Sequence, residues 1–180
     1  WHGIHNWPHA CGGIHTRPQA CGCRVQGRYE LAAQQGFYLA QDSLASMYFY
    51  GYGIEQSYKE AVHWWHKAAE QGHSDAQARL GYIYRSGKAA EKDETESVKW
   101  FRMAATQGHV DAQQNLGLMY ASGQGVPQDY VSAYVWWFRA RKQGSKTAER
   151  NLTMLEPLMS QEEVSKAQQK ISEEQQPTVK

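Results

Sequence analysis

Cysteine is absent beyond residue 23, since Cys11, Cys21 and Cys23 are all the chain has. A fold built from the remaining residues needs no disulfide, and cysteine does not report the redox compartment. A thiol nucleophile is excluded from that part as well. Proline is scarce, at five in 180 residues. That suits a helical chain, because proline breaks helix interiors. No run of about 18 apolar residues occurs, so no membrane-spanning helix is expected. Neither sign of charge dominates: 19 basic residues stand against 18 acidic ones, for a formal net charge of +1. Such a balance gives no argument for nucleic acid, a polybasic membrane contact or acidic substrates. Catalytic signatures are missing too. No serine has lysine three residues later, and no Gly-x-Ser-x-Gly occurs. Gly123-Gln124-Gly125 lacks both a third glycine and the lysine of a phosphate-binding loop.

What is present is a beat of 36 residues. Gln35-Gly36 recurs as Gln71-Gly72, Gln107-Gly108 and Gln143-Gly144. Ala40, Ala76, Ala112 and Ala148 keep the same interval, as do Leu44, Leu80, Leu116 and Leu152. Tyr48, Tyr84 and Tyr120 follow it, and so do Trp64, Trp100 and Trp136. A period of this length marks a stacked array of repeats. The default work of such a surface is binding, not catalysis.

Each full unit (37–72, 73–108 and 109–144) divides into helix A, a glycine-led loop and helix B. In the middle unit Ala76, Leu80, Ile83 and Tyr84 fall at i, i+4, i+7 and i+8, one apolar face of helix A. Ala45, Gly81 and Gly117 share one slot, where small size lets another helix come close. Helix B starts at a capping residue, Ser57, Asp93 or Asp129. Glu60 and Glu96 complete a capping-box spacing in the first two units, and Ser132 leaves it incomplete in the third. The spacing predicts helix pairs near 39–50 with 57–70, 75–86 with 93–106, and 111–122 with 129–142. Leu44, Leu80, Leu116, Tyr48, Tyr84, Tyr120, Trp64, Trp100 and Trp136 are assigned to the core.

The ends differ from the array. Residues 1–24 show neither a 3.6 nor a 2 period and read as an irregular His/Cys-rich leader. His2, His5, His9 and His15 with the three cysteines match no metal-site spacing, so no metal site is expected there. A non-native stretch is favoured, ahead of a natural disordered tail. Residues 25–36 read as a degenerate second helix, with Arg28 in the tryptophan slot. Residues 145–174 read as a partial repeat followed by a capping helix, with Val164, Ala167 and Ile171 as its thin apolar stripe. Residues 175–180 read as a frayed tail.

The third unit runs Ala112-Gln113-Gln114-Asn115-Leu116-Gly117-Leu118-Met119-Tyr120-Ala121-Ser122-Gly123. It continues through Gly125-Val126-Pro127, Asp129, Ala133 and Trp136. This pattern resembles the SEL-one-like repeat family, over about residues 30 to 155. Ala89-Ala90 departs from it in the second loop, as does Arg141 in the alanine pair. The resemblance implies an all-α fold, an α/α solenoid coiled as a right-handed superhelix of helix-turn-helix repeats related to tetratricopeptide repeats. It also implies a bacterial-type member acting as a non-enzymatic adaptor or scaffold, without cofactor or shared catalytic residues. A monomer is expected. The bacterial envelope or periplasm and the cytoplasm both stay open as compartments. A β-lactam-binding or hydrolysing protein and a truncated, inactive fragment are the alternatives.

Geometry places a binding face on helix A, opposite its apolar stripe. In the middle unit it comprises Asp75, Ala78, Tyr82, Arg85 and Ser86. The first unit supplies Leu39, Asp42, Ser46, Phe49 and Tyr50, and the third Asp111, Gln114, Leu118, Ala121 and Ser122. Asp42, Ser46, Phe49, Asp75, Tyr82, Arg85, Gln114 and Leu118 are the candidate partner-binding residues on this concave side. The mixed lining suits an extended peptide or a partner helix. It holds no cluster of basic residues that would recognise a carboxyl terminus or a phosphate. His63 and His66, one turn apart beside Trp64 and Trp65, read as exposed polar positions.

Overall fold

The computed structural model describes residues 18–175, and side chains within 26–174. The leader expected at residues 1–17 and the tail at 176–180 lie outside the described residues. Helix α1 spans Pro18–Gln34, α2 Tyr38–Tyr50, α3 Tyr58–Glu70, α4 Ser74–Ser86, α5 Glu94–Thr106, α6 Val110–Ser122, α7 Tyr130–Lys142 and α8 Lys146–Leu155. A 3₁₀ turn, Glu156–Leu158, leads into α9, Gln161–Gln175. No strand occurs among the described residues. Each helix packs on the next along the chain, from α1 on α2 through α7 on α8, and α9 returns to cover α7. The result is an α/α solenoid.

Helix α1 begins earlier than the sequence suggests. It runs back to Pro18, into a stretch read as irregular. Proline at the first helical position gives up an N–H that would be unpaired anyway. The glycine, cysteine and arginine that follow carry no apolar stripe, so the period is not visible there.

The small slot works by contact. An added Cβ at Gly81 would lie 2.7 Å from the Phe101 ring, and one at Gly117 would lie 2.5 Å from Trp137 Nε1. The second aromatic of each pair therefore presses against the backbone of helix A. Trp65, Phe101 and Trp137 are accordingly 2%, 0% and 4% exposed. Trp64 and Trp100 are buried as expected. Tyr48, Tyr84, Tyr120 and Trp136 pack against the core as well but are only half-buried. Tyr84 OH meets His66 Nε2 at 2.9 Å, Tyr120 OH accepts from Arg102 Nη2 at 2.6 Å, and Arg139 covers the Trp136 ring at 4.3 Å.

Helix B caps form with one difference. The side chains of Ser57, Asp93 and Asp129 accept from the backbone N–H of Glu60, Glu96 and Ser132. The return half of the box does not form at Glu60 or Glu96. The backbone N–H of each capping residue already donates to a tyrosine carbonyl of helix A: Tyr48, Tyr84 or Tyr120, each at 2.9 Å. A complete box appears at α9, where Ser160 and Glu163 bond reciprocally.

Candidate partner-binding surface

Two internal devices position helix A. The first is a glutamine ladder. Gln41, Gln77 and Gln113 are buried, and each donates to a carbonyl of the preceding helix B or α1: Ala33, Ala69 and Ala105. Each accepts in turn from the glutamine of the next Gln-Gly pair: Gln71 and Gln107 at 2.7 Å, and Gln143 at 2.9 Å. Both ends of a buried amide are thereby bonded, as burial requires. The ladder was in the sequence as a second 36-residue beat, beside the Gln-Gly one.

The second device links the deep aromatic to the exposed face of helix A. Trp65 Nε1 donates to Asp42 Oδ1 at 3.0 Å, and Trp137 Nε1 donates to the Gln114 carbonyl at 2.9 Å. Phe101 has no such donor. The slot above it holds buried Ala78 where the neighbouring units have Asp42 and Gln114. Tyr82 fills the space instead, edge-on to Phe101 with ring centroids 5.0 Å apart.

The candidate residues therefore differ in what they leave free. The Asp42 carboxylate is engaged by Trp65 and by Arg79 Nε at 3.3 Å. Ser46 is half-buried. Phe49 is half-buried and packs on Tyr50, Tyr58 and Trp65. Ala78, expected on the open face, is buried. Asp75 is exposed and lies 3.2 Å from His109 Nε2. Tyr82 is 38% exposed and Leu118 44%. Gln114 is half-buried and donates to Asp111 Oδ1 at 3.3 Å.

Arg85 and Tyr82 share one partner in the next unit, which the sequence reading missed. Arg85 Nη1 donates to Asn115 Oδ1, and Asn115 Nδ2 donates to Tyr82 OH at 2.6 Å. Burial pushes the Tyr82 phenol up, and nearby Asp111 adds to that. Asn115 occupies the slot of Ser43 and Arg79, whose variation hides it. His63 is exposed beside Trp64, and His66 is half-buried against Trp100. Among the described residues no three His, Cys, Asp or Glu side chains come together as a metal site. No described helix is long and apolar enough to cross a membrane.

The Sel1 repeat family matches residues 39–73, 74–109 and 110–145, more than half the chain. A Sel1 repeat protein from Oxalobacter formigenes is 39% identical, over 72% of this chain and 98% of that one, with a TM-score of 0.68. The protein c5321 is a protective antigen present in uropathogenic Escherichia coli strains and displays an SLR fold. It is 40% identical over 71% of this chain, again with a TM-score of 0.68, and the match spans 27% of its own length. Helicobacter pylori cysteine rich protein B, at 21% identity, 73% and 95% coverage and a TM-score of 0.57, shares the fold. No curated protein matches. Sel1 repeat proteins are generally interaction scaffolds that bind protein partners, and the family is typically non-catalytic. The repeats, the stacked helix pairs and these relatives agree, and the chain belongs to the Sel1 repeat family.

Proposed function

We propose that the protein is a binding module whose open helix-A face takes a peptide or helix of a partner protein, with Tyr82 and Arg85 at its centre. The observation that carries this reading is the direct seam from α4 to α6 through Arg85, Asn115 and Tyr82. Where helices of successive units meet, the surface is continuous rather than broken by loops. We take this seam side, formed by α2, α4 and α6, as the concave side of the solenoid, the kind of surface such arrays use for binding. Exposed Tyr82 and Leu118 then supply apolar contact on neighbouring units. Tyrosine and arginine are also enriched at binding hot spots.

A partner captured from the native organism gives the test. The double change Tyr82→Ala with Arg85→Ala should weaken its binding by about 2 kcal/mol or more while the helical spectrum persists. Unchanged affinity, together with loss on substitution of exposed α5 residues such as Lys99 and Met103, would move the site to the helix-B side.

A further inference from the structure

The charges on the helix-A face are unevenly committed. Arg79 holds Asp42 and lies over the Trp65 ring. Arg85 donates to Asn115 and lies over Tyr82 and Phe101. Both cations of α4 thus lie beside partners in neighbouring units, although the Arg79 side chain stays 39% exposed. The Asp42 carboxylate is occupied in the same way, and its side chain is 18% exposed. Asp75 and Asp111 differ. The Asp75 side chain stays 59% exposed even though its Oδ1 lies 3.2 Å from His109 Nε2. Asp111 is exposed and accepts from the neutral Gln114 amide.

These two carboxylates occupy one slot, in the first turns of α4 and α6. Tyr82 and Leu118 occupy another slot, seven residues further along the same helices. Residues seven apart lie two turns on and share a helix face. The face thus carries an acidic pair parallel to an apolar pair, with its own arginines turned to internal partners. A carboxylate in a first turn also suits the helix dipole. That role concerns stability and predicts no effect on a ligand.

We infer that the occupant is a partner segment bearing lysine or arginine, placed against Asp75 and Asp111, beside an apolar side chain seated between Tyr82 and Leu118. This rests on the binding role proposed above and adds the chemistry of what is bound. Charge complementarity of this kind sets register and speeds encounter, and its exposed position makes it sensitive to salt.

The test is selection of a displayed library of random short peptides on the full chain, followed by synthesis of the enriched sequences. Lysine or arginine beside Phe, Trp or Leu is the expected enrichment. The double change Asp75→Asn with Asp111→Asn should weaken those peptides roughly three- to ten-fold, and added salt should do the same to the unaltered protein. Asp75→Lys with Asp111→Lys should favour acidic peptides instead. Neutral or acidic peptides that need Tyr82 and Leu118 but ignore both carboxylates would overturn this inference and leave the binding face standing. Peptides indifferent to all four residues, or no enrichment at all, would overturn both.

Discussion

At the scale of single residues, glycine does two different jobs in the second and third units. Gly108 has φ +91°, and an added Cβ would meet nothing within 4 Å. Gly117 is helical, and its missing side chain is the space that Trp137 occupies. Gly108→Ala should cost about 1 kcal/mol through backbone strain alone. Gly117→Ala gains helix propensity but overpacks, and should cost about 1–3 kcal/mol net. It should also weaken the Trp137 bond to Gln114, which indole fluorescence can report alongside urea unfolding. An equal, small effect at both positions would mean that the tryptophan gives way freely.

His66 supplies the pH dependence at this scale. Burial against Tyr84 and Trp100 holds its imidazole below the ordinary value of 6.5, outweighing the upward pull of Glu70 and Glu96. The unfolded chain then takes up this proton before the folded one does. The stabilising contribution is complete above about pH 6.5 and is lost as pH falls below it. His66→Gln should flatten that part of the melting-temperature profile relative to the unaltered protein. Parallel profiles would show that His66 titrates alike in both states.

At the scale of elements, the glutamine ladder sets how each helix A sits against the preceding helix B. Gln77 joins the Ala69 carbonyl to Gln107. Gln77→Ala removes one of two bonds at the Ala69 carbonyl, which keeps the Gly72 N–H, and one of two at the Gln107 amide, which keeps the Met103 carbonyl, and should cost about 0.5–1.5 kcal/mol per bond lost. Gln107→Ala leaves one oxygen of Gln77 unpaired. The pair is in contact, so the double substitution should cost less than the sum of the singles. Strict additivity in a double-mutant cycle would show that the bond carries no coupling.

At the scale of the whole molecule, stability is a sum of neighbouring contacts, because each unit touches only those beside it. Helix α9 closes one end by setting buried Ala167 and Ile171 on α7. Its other face is polar, as a terminal cap needs to be. Ile171→Asp should loosen α7 to α9 first and leave α2 to α5 protected. Hydrogen exchange resolved by segment checks this. Uniform loss of protection along the chain would mean that the array unfolds as one unit.

Much of this was determined by the sequence alone. The 36-residue beat fixes helix type, number and phase, since a period of identical units leaves few ways to bury one apolar stripe per helix. The helices predicted for the three full units start within one residue of those observed. Helix caps at Ser57, Asp93 and Asp129 were legible for the same reason, as they depend on local bonds. Tertiary structure decided what depends on contacts between units. It made Trp65, Phe101 and Trp137 the deepest aromatics, and brought Asn115 to Arg85 and Tyr82. It also buried most of Asp42 in a seam, while Asp75 stays largely exposed beside His109. Those outcomes turn on which neighbour reaches a side chain first across a repeat boundary, and identical spacing along the chain carries no information about that.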